Sequence, residues 1–111
     1  MRDPTERLRD ILDAIAALER HQGGGRDSFE TDELLQAWFL RHLQIIGEAA
    51  RALPDDVRKL APEIPWVNVI GMRNVLVHGY FDIDTDAVWE AATRDAPALK
   101  PAINRLLERL V

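Results

Sequence analysis

Apolar residues recur at steps of three and four along most of this chain, and glycine or proline interrupts the pattern at intervals. Such periodicity with such punctuation specifies helices joined by short connections. Leu8, Ile11, Leu12, Ile15 and Leu18 form the first stripe. Asp3 can cap that helix, Pro4 suits its first position, and Glu6 lies three residues after the cap. Gly23-Gly24-Gly25 ends it. These glycines lack the preceding strand and the following Gly-Lys-Ser/Thr of a phosphate loop, so they read as a helix–helix connection.

A second helix is expected to begin around Ser28 to Asp32, where Glu30, Asp32 and Glu33 suit the positive end of the dipole. Leu34, Leu35, Trp38, Phe39, Ile45, Ile46, Ala49 and Leu53 give it a wide apolar face, enough to pack on its own bundle and on something else. Arg41, Gln44, Glu48 and Arg51 form a polar ridge. The ridge reads either as a solvated face or as a border of a functional cleft supplied by Glu48 or Arg41. Pro54 stops this helix, and one or two helical turns follow to Leu60. After the turn at Pro62-Glu63-Ile64-Pro65, the spacing predicts a helix from about Pro65 to Val77. Gly71 inside it costs about 1 kcal/mol against alanine and suggests a close helix crossing. Asp82, Asp84 and Asp86 alternate, but the glycine and distal glutamate of a calcium loop are absent, so capping of the next helix is the better reading. Val88 to Leu110 continue a helical stripe that Pro97 and Pro101 must kink or divide near Ala96. Nothing reads as a sheet. The expectation is an all-α bundle of four main helices plus short helical turns, in one domain spanning 1–111.

The hydrophobic fraction is 47% and the charged fraction 30%, as in folded globular chains rather than disordered ones. No cysteine is present, which removes disulfides and thiolate metal sites and fits a cytoplasmic location. No apolar run reaches the ~20 residues of a membrane span, and Met1-Arg2-Asp3-Pro4 lacks the hydrophobic segment of a signal peptide. A net charge of -5 argues against broad, non-specific gripping of nucleic acid, though not against a small cationic cleft. It also favours a basic protein partner.

The densest chemistry lies in Arg73-Asn74-Val75-Leu76-Val77-His78-Gly79-Tyr80. Arg73 offers a planar fork of donors for phosphate, His78 can move a proton near neutral pH, and Tyr80 carries a modifiable hydroxyl. On a regular helix Arg73 and His78 would stand about 140° apart. They converge if the helix ends near Val77 with Gly79 in a C-terminal cap, or if two copies face one another. Metal-free RNA cleavage needs a base for the 2′-hydroxyl, a cation for the phosphorane and an acid for the leaving 5′-oxygen. His78 is the candidate base or acid, Arg73 the phosphate ligand, and Asn74 a candidate donor to phosphate or base. A nearby guanidinium favours the neutral imidazole that a base requires. Read blandly, His78 caps a helix end and Tyr80 anchors a turn. His42 is most simply a packed core or interface residue, and His21 a dipole-compensating one.

Arg, four residues, His, one residue, Tyr resembles the signature of the HepT-like HEPN family. So do the stretches Met1-Arg2-Asp3-Pro4, Ile45-Ile46-Gly47-Glu48-Ala49-Ala50, Pro62-Glu63-Ile64-Pro65-Trp66 and Ile70-Gly71-Met72 leading into the motif. The resemblance covers essentially the whole chain. It implies a HEPN bundle forming a two-fold homodimer with its motif clefts near the interface. It further implies a metal-independent endoribonuclease without cofactor, the toxin of a type VII toxin–antitoxin pair, with Arg73 and His78 catalytic. The antitoxin would be a minimal nucleotidyltransferase (MNT) that transfers AMP to Tyr80. Two other readings stay open: a non-catalytic HEPN dimer that binds a nucleotide or a nucleotidyltransferase, and a purely structural helical dimer.

Overall fold

The computed structural model describes residues 3–74, 77–78 and 82–111. Helix α1 (Pro4–Arg20) starts as its sequence dictates. The Asp3 carboxylate accepts the Thr5 backbone N–H and the Thr5 hydroxyl, each at 2.8 Å. The backbone bond, then the hydroxyl bond, hold the Asp3 pKa below its ordinary value. Leu8, Ile11, Ile15 and Leu18 turn their common face fully into the core.

The connection after α1 contains more structure than its glycines suggest. Gly25 adopts a positive φ of 79° and opens a short helix α2 (Gly25–Glu30). This turn inserts Phe29 into the core, where its ring lies 5.0 Å from Phe39 and 5.3 Å from Trp89. The Gln36 amide donates to the Phe29 and Glu30 carbonyls, closing the end of α2. The main second helix, α3 (Glu33–Ala52), begins after this break, capped by Asp32 through the Leu35 N–H at 3.1 Å. It packs chiefly on α1 through Phe39, Leu43, Ile46 and Ala50, all fully buried.

Pro54 ends α3 and precedes α4 (Asp55–Arg58). The Trp66 indole N–H reaches back to the Arg58 and Ala61 carbonyls at 3.0 and 3.1 Å, tying α4 to the next helix. That helix, α5, is Trp66–Gly71, six residues shorter at its C-terminal end than the expected limit at Val77. Two short strands, β1 (Val77–His78) and β2 (Asp82–Ile83), then pair antiparallel, with Val77 opposite Ile83 and His78 opposite Asp82. The expectation of no sheet is corrected to this extent: four residues form a minimal ribbon in an otherwise all-α fold.

Asp84 caps α6 (Thr85–Glu90) through the Ala87 N–H at 3.0 Å, the role its spacing predicted. A π-helical turn, Ala91–Asp95, joins α6 to α7 (Ala96–Ala98), and α8 (Lys100–Leu110) follows. Pro97 supplies no N–H, so the register slips in the turn before it. Pro101 sits in the first turn of α8, where a missing donor is tolerated. Helix α8 closes the core against α1 with Ile103 and Leu106.

Candidate functional site

Arg73 stands just beyond α5, in a tight turn rather than on a helix face. Three successive i to i−3 backbone bonds build that turn: Met72 to Val69 at 3.1 Å, Arg73 to Ile70 at 3.3 Å and Asn74 to Gly71 at 3.0 Å. The turn lies hard against α3 at Gly47. A Cβ there would stand 2.6 Å from the Arg73 backbone nitrogen and 2.9 Å from the Ile70 carbonyl oxygen. The close crossing suggested by Gly71 is thus seen at Gly47, on the facing helix. Only a residue without a side chain permits this approach, and it sets Arg73 beside the next turn of α3.

The result is an open cleft of about 340 Å³ lined by Glu48, Arg51, Ala52 and Arg73. Arg73 is half-buried, while Glu48 and Arg51 are exposed. The Arg73 Nε donates to the Asn74 Oδ1 at 3.3 Å. Among the described residues, two guanidiniums against one carboxylate give the cleft a positive balance in a chain of net charge -5. Such a cleft suits an oxyanion.

Of the sequence-derived candidates, Arg73 and Glu48 line this cleft, and Asn74 joins them only through its hydrogen bond with Arg73. Arg41 lies seven residues before Glu48 on α3, about 10 Å along the helix, and does not line the cleft. The backbone of His78 belongs to β1; its side chain, and Tyr80 as a whole, lie outside the described residues. Arg51 was not singled out from sequence. Its signal was present: it follows Glu48 by three positions on the same ridge.

A larger cavity of about 730 Å³ opens on the other side of the Arg73 turn, between α5 and the α6–α7 segment. Ile64, Val67, Met72, Ala91 and Leu99 give it a mostly apolar wall, and its charged lining residues are Glu63, Glu90 and Asp95. Among the described residues no arginine or lysine lines it, so they offer a phosphate no counter-charge there despite its size. A third groove, between α1 and α3, holds His42 with Asp10, Asp13 and Arg20. There the His42 Nδ1 donates to the Trp38 carbonyl at 2.7 Å, and its ring lies 4.3 Å from that of Trp38. His21, the C-cap of α1, meets Trp38 edge-on at 5.1 Å. Among the described residues no group of three or more His, Cys, Asp or Glu is arranged to hold a metal ion. Nor is any described helix long and apolar enough to cross a membrane.

The fold and cleft define a small helical-bundle protein with an arginine-lined cleft at a helix end. The profile of the family described as ribonuclease HepT-like matches residues 11–106, and the chain belongs to that family. A protein of Caldanaerobacter subterraneus subsp. tengcongensis, named as a candidate RNase, is 34% identical over 110 residues, covering 98% of each chain. A probable ribonuclease HepT of Thermococcus cleftensis is 37% identical over 100 residues, 89% of this chain and 91% of that protein. A third relative, from Methanocaldococcus jannaschii and also named as a candidate RNase, is 34% identical over 103 residues, 92% of this chain and 94% of its own. No solved structure matches the chain.

Proposed function

We propose that this protein is a metal-independent endoribonuclease, and that its cleft around Arg73 holds the scissile phosphate. The observation that carries this reading is the placement of Arg73. A turn fixed against Gly47 brings its guanidinium into a solvent-open cleft beside Arg51. Membership of the ribonuclease HepT-like family supports the same assignment. In this reading His78 takes the proton of the ribose 2′-hydroxyl. The 2′-oxygen attacks phosphorus, the bond to the 5′-oxygen breaks, and that oxygen leaves with a proton, giving a 2′,3′-cyclic phosphate and a 5′-hydroxyl. Arg73 and Arg51 stabilise charge on the non-bridging oxygens as the phosphorane forms. Asn74 accepts from the Arg73 Nε and can donate through its own amide to phosphate or base.

The protein acts in this reading as the toxin of a cytoplasmic toxin–antitoxin pair, as a homodimer. Its antitoxin is a minimal nucleotidyltransferase that uses a nucleoside triphosphate. The first transfer forms a bond from the Tyr80 phenolic oxygen to the α-phosphorus and releases pyrophosphate; each later one forms its bond from a ribose hydroxyl of the AMP already attached and releases pyrophosphate in turn. AMP groups placed two residues from His78 would bar RNA by charge and bulk. The sequence order Arg73, His78, Tyr80 supports this regulation. A second reading, a non-catalytic HEPN dimer that binds a nucleotide or nucleotidyltransferase, draws on the exposed Glu48 carboxylate in the cleft, which opposes a polyanion.

RNA cleavage in the presence of EDTA separates the two. Wild-type protein is expected to cut, and His78→Ala and Arg73→Ala to fall by about 100-fold or more. Equal degradation by wild type and His78→Ala would remove the catalytic assignment. Co-expression with a nucleotidyltransferase, followed by intact-mass measurement, is expected to show increments of whole AMP units that Tyr80→Phe abolishes.

A further inference from the structure

The cavity between α5 and the α6–α7 segment takes no part in the ribonuclease reading. Its longer wall is one line of residues, Ala87, Ala91, Asp95, Ala98 and Ala102, at steps of four and three. That line runs about 20 Å along the helical axis. Four of its five side chains are single methyl groups, so the wall is shallow and leaves room for larger side chains from another chain. Met72 and Leu99, both nearly buried, form an apolar base. Val67 stands on the opposite lip, 84% exposed, and carries the apolar surface beyond the cavity itself.

Charge decides what this groove accepts. Among the described residues its charged lining groups are three carboxylates, and they are spread along its length. Glu90 lies between Ala87 and Ala91, Asp95 lies midway, and Glu63 faces the far end, where it meets Arg105 at 4.0 Å. Among the described residues Asp95 takes part in no ion pair. The pairs of Glu63 with Arg105 and of Glu90 with Arg94 are long and exposed, so a partner's cation can replace either at little cost. Such a rim repels RNA and anionic lipid alike. A second copy paired face to face would set these carboxylates against their own counterparts. A small organic cation would meet one of them at a time, whereas the three span the whole line.

We infer that this groove docks a basic amphipathic helix of a partner protein, about four turns long. Its apolar face lies on the alanine line, and its lysine or arginine side chains reach Glu63, Glu90 and Asp95. The inference stands apart from the ribonuclease reading, because the groove shares no lining residue with the Arg73 cleft.

A synthetic helix of about 15 residues, with leucines at steps of four and three flanked by lysines, serves as the probe. Fluorescence anisotropy of the labelled peptide with the full chain is expected to show saturable binding. Amide shifts on titration should cluster at 67–72 and 87–102. Glutamate in place of the peptide's lysines should abolish binding. On the protein, Glu90→Lys combined with Asp95→Lys should raise the dissociation constant at least about tenfold. Ala98→Trp, at an exposed position, should block the groove, with circular dichroism confirming that each variant is folded. No saturation up to about 1 millimolar peptide, equal binding of a peptide with scrambled leucines, undiminished binding by the charge-reversed variant, or shifts confined to other surfaces would each overturn the inference. So would a change in the oligomeric state of Ala98→Trp by sedimentation, which would make the groove a contact between copies of this chain.

Discussion

Gly47 decides where Arg73 stands. Alanine is the better helix former by about 1 kcal/mol, so propensity alone favours Gly47→Ala. The added Cβ, however, would lie 2.6 Å from a backbone nitrogen that has no rotamer with which to escape. Overpacking of that kind costs about 1–3 kcal/mol, and we expect the clash to win. Urea unfolding of Gly47→Ala should show a lower midpoint with an unchanged slope, and RNA cleavage should fall further than stability does, because the Arg73 turn must shift. A stabilised variant would mean that the crossing is looser than its distances indicate. At the other end of the chain, Asp3 has a single structural task. Its pKa is lowered from 3.8 by the bonds from Thr5, so its contribution is present above that ordinary value and is lost as pH falls through the lowered native one. Asp3→Asn should remove this part of the acid-side loss, read as a smaller drop in thermal midpoint between pH 5 and pH 2.

At the scale of elements, the π-turn shows how a local defect is absorbed. The Ala96 N–H bonds to Ala91, one residue further back than in an α-helix, and Pro97 has no N–H to offer the Ala92 carbonyl. The Gln22 side chain fills that vacancy, donating to Ala92 at 3.0 Å from the far side of the bundle. Gln22→Ala should therefore cost about 1–3 kcal/mol, the penalty of a part-buried acceptor left unpaired, and the loss should shrink in a Pro97→Ala background. If the two substitutions act additively in chemical unfolding, Gln22 is not answering for the proline. Sequence periodicity revealed α1, α3 and α8, along with the caps at Asp3 and Asp84, because each follows from residues only a few positions apart. It overran α5 because Val77 continues the line of Trp66 and Ile70 past the helix end, where the close approach to Gly47 on α3 holds a tight turn. It missed α2 because a six-residue helix after three glycines has too few apolar positions to show a period. Neither Gln22 nor Gly47 announces its role locally, since their partners are 70 and 26 residues away (Ala92 and Arg73).

For the molecule as a whole, the central problem is an acidic chain that must hold a polyanion. A net charge of -5 repels RNA at long range, so affinity has to come from the few cations gathered in one cleft. That constraint has a measurable signature. A protein that grips single-stranded RNA through Z phosphate contacts loses affinity with salt at a slope of about -0.7Z on logarithmic axes. Two local guanidiniums, Arg51 and Arg73, give an expected slope of about -1.4. Titrating a fluorescent oligonucleotide into His78→Ala protein from 50 to 300 millimolar salt reads this slope without cleavage interfering. Arg51→Gln should flatten it by about 0.7, and Arg73→Gln by a similar amount. A slope of about -4 or steeper would place RNA on a broad cationic surface, contrary to the charge distribution and to a cleft of this size. The same titration separates the cleft from the rest of the surface. Arg105→Gln, a change of one exposed guanidinium that pairs with Glu63 and lines no part of the cleft, should leave the slope unchanged.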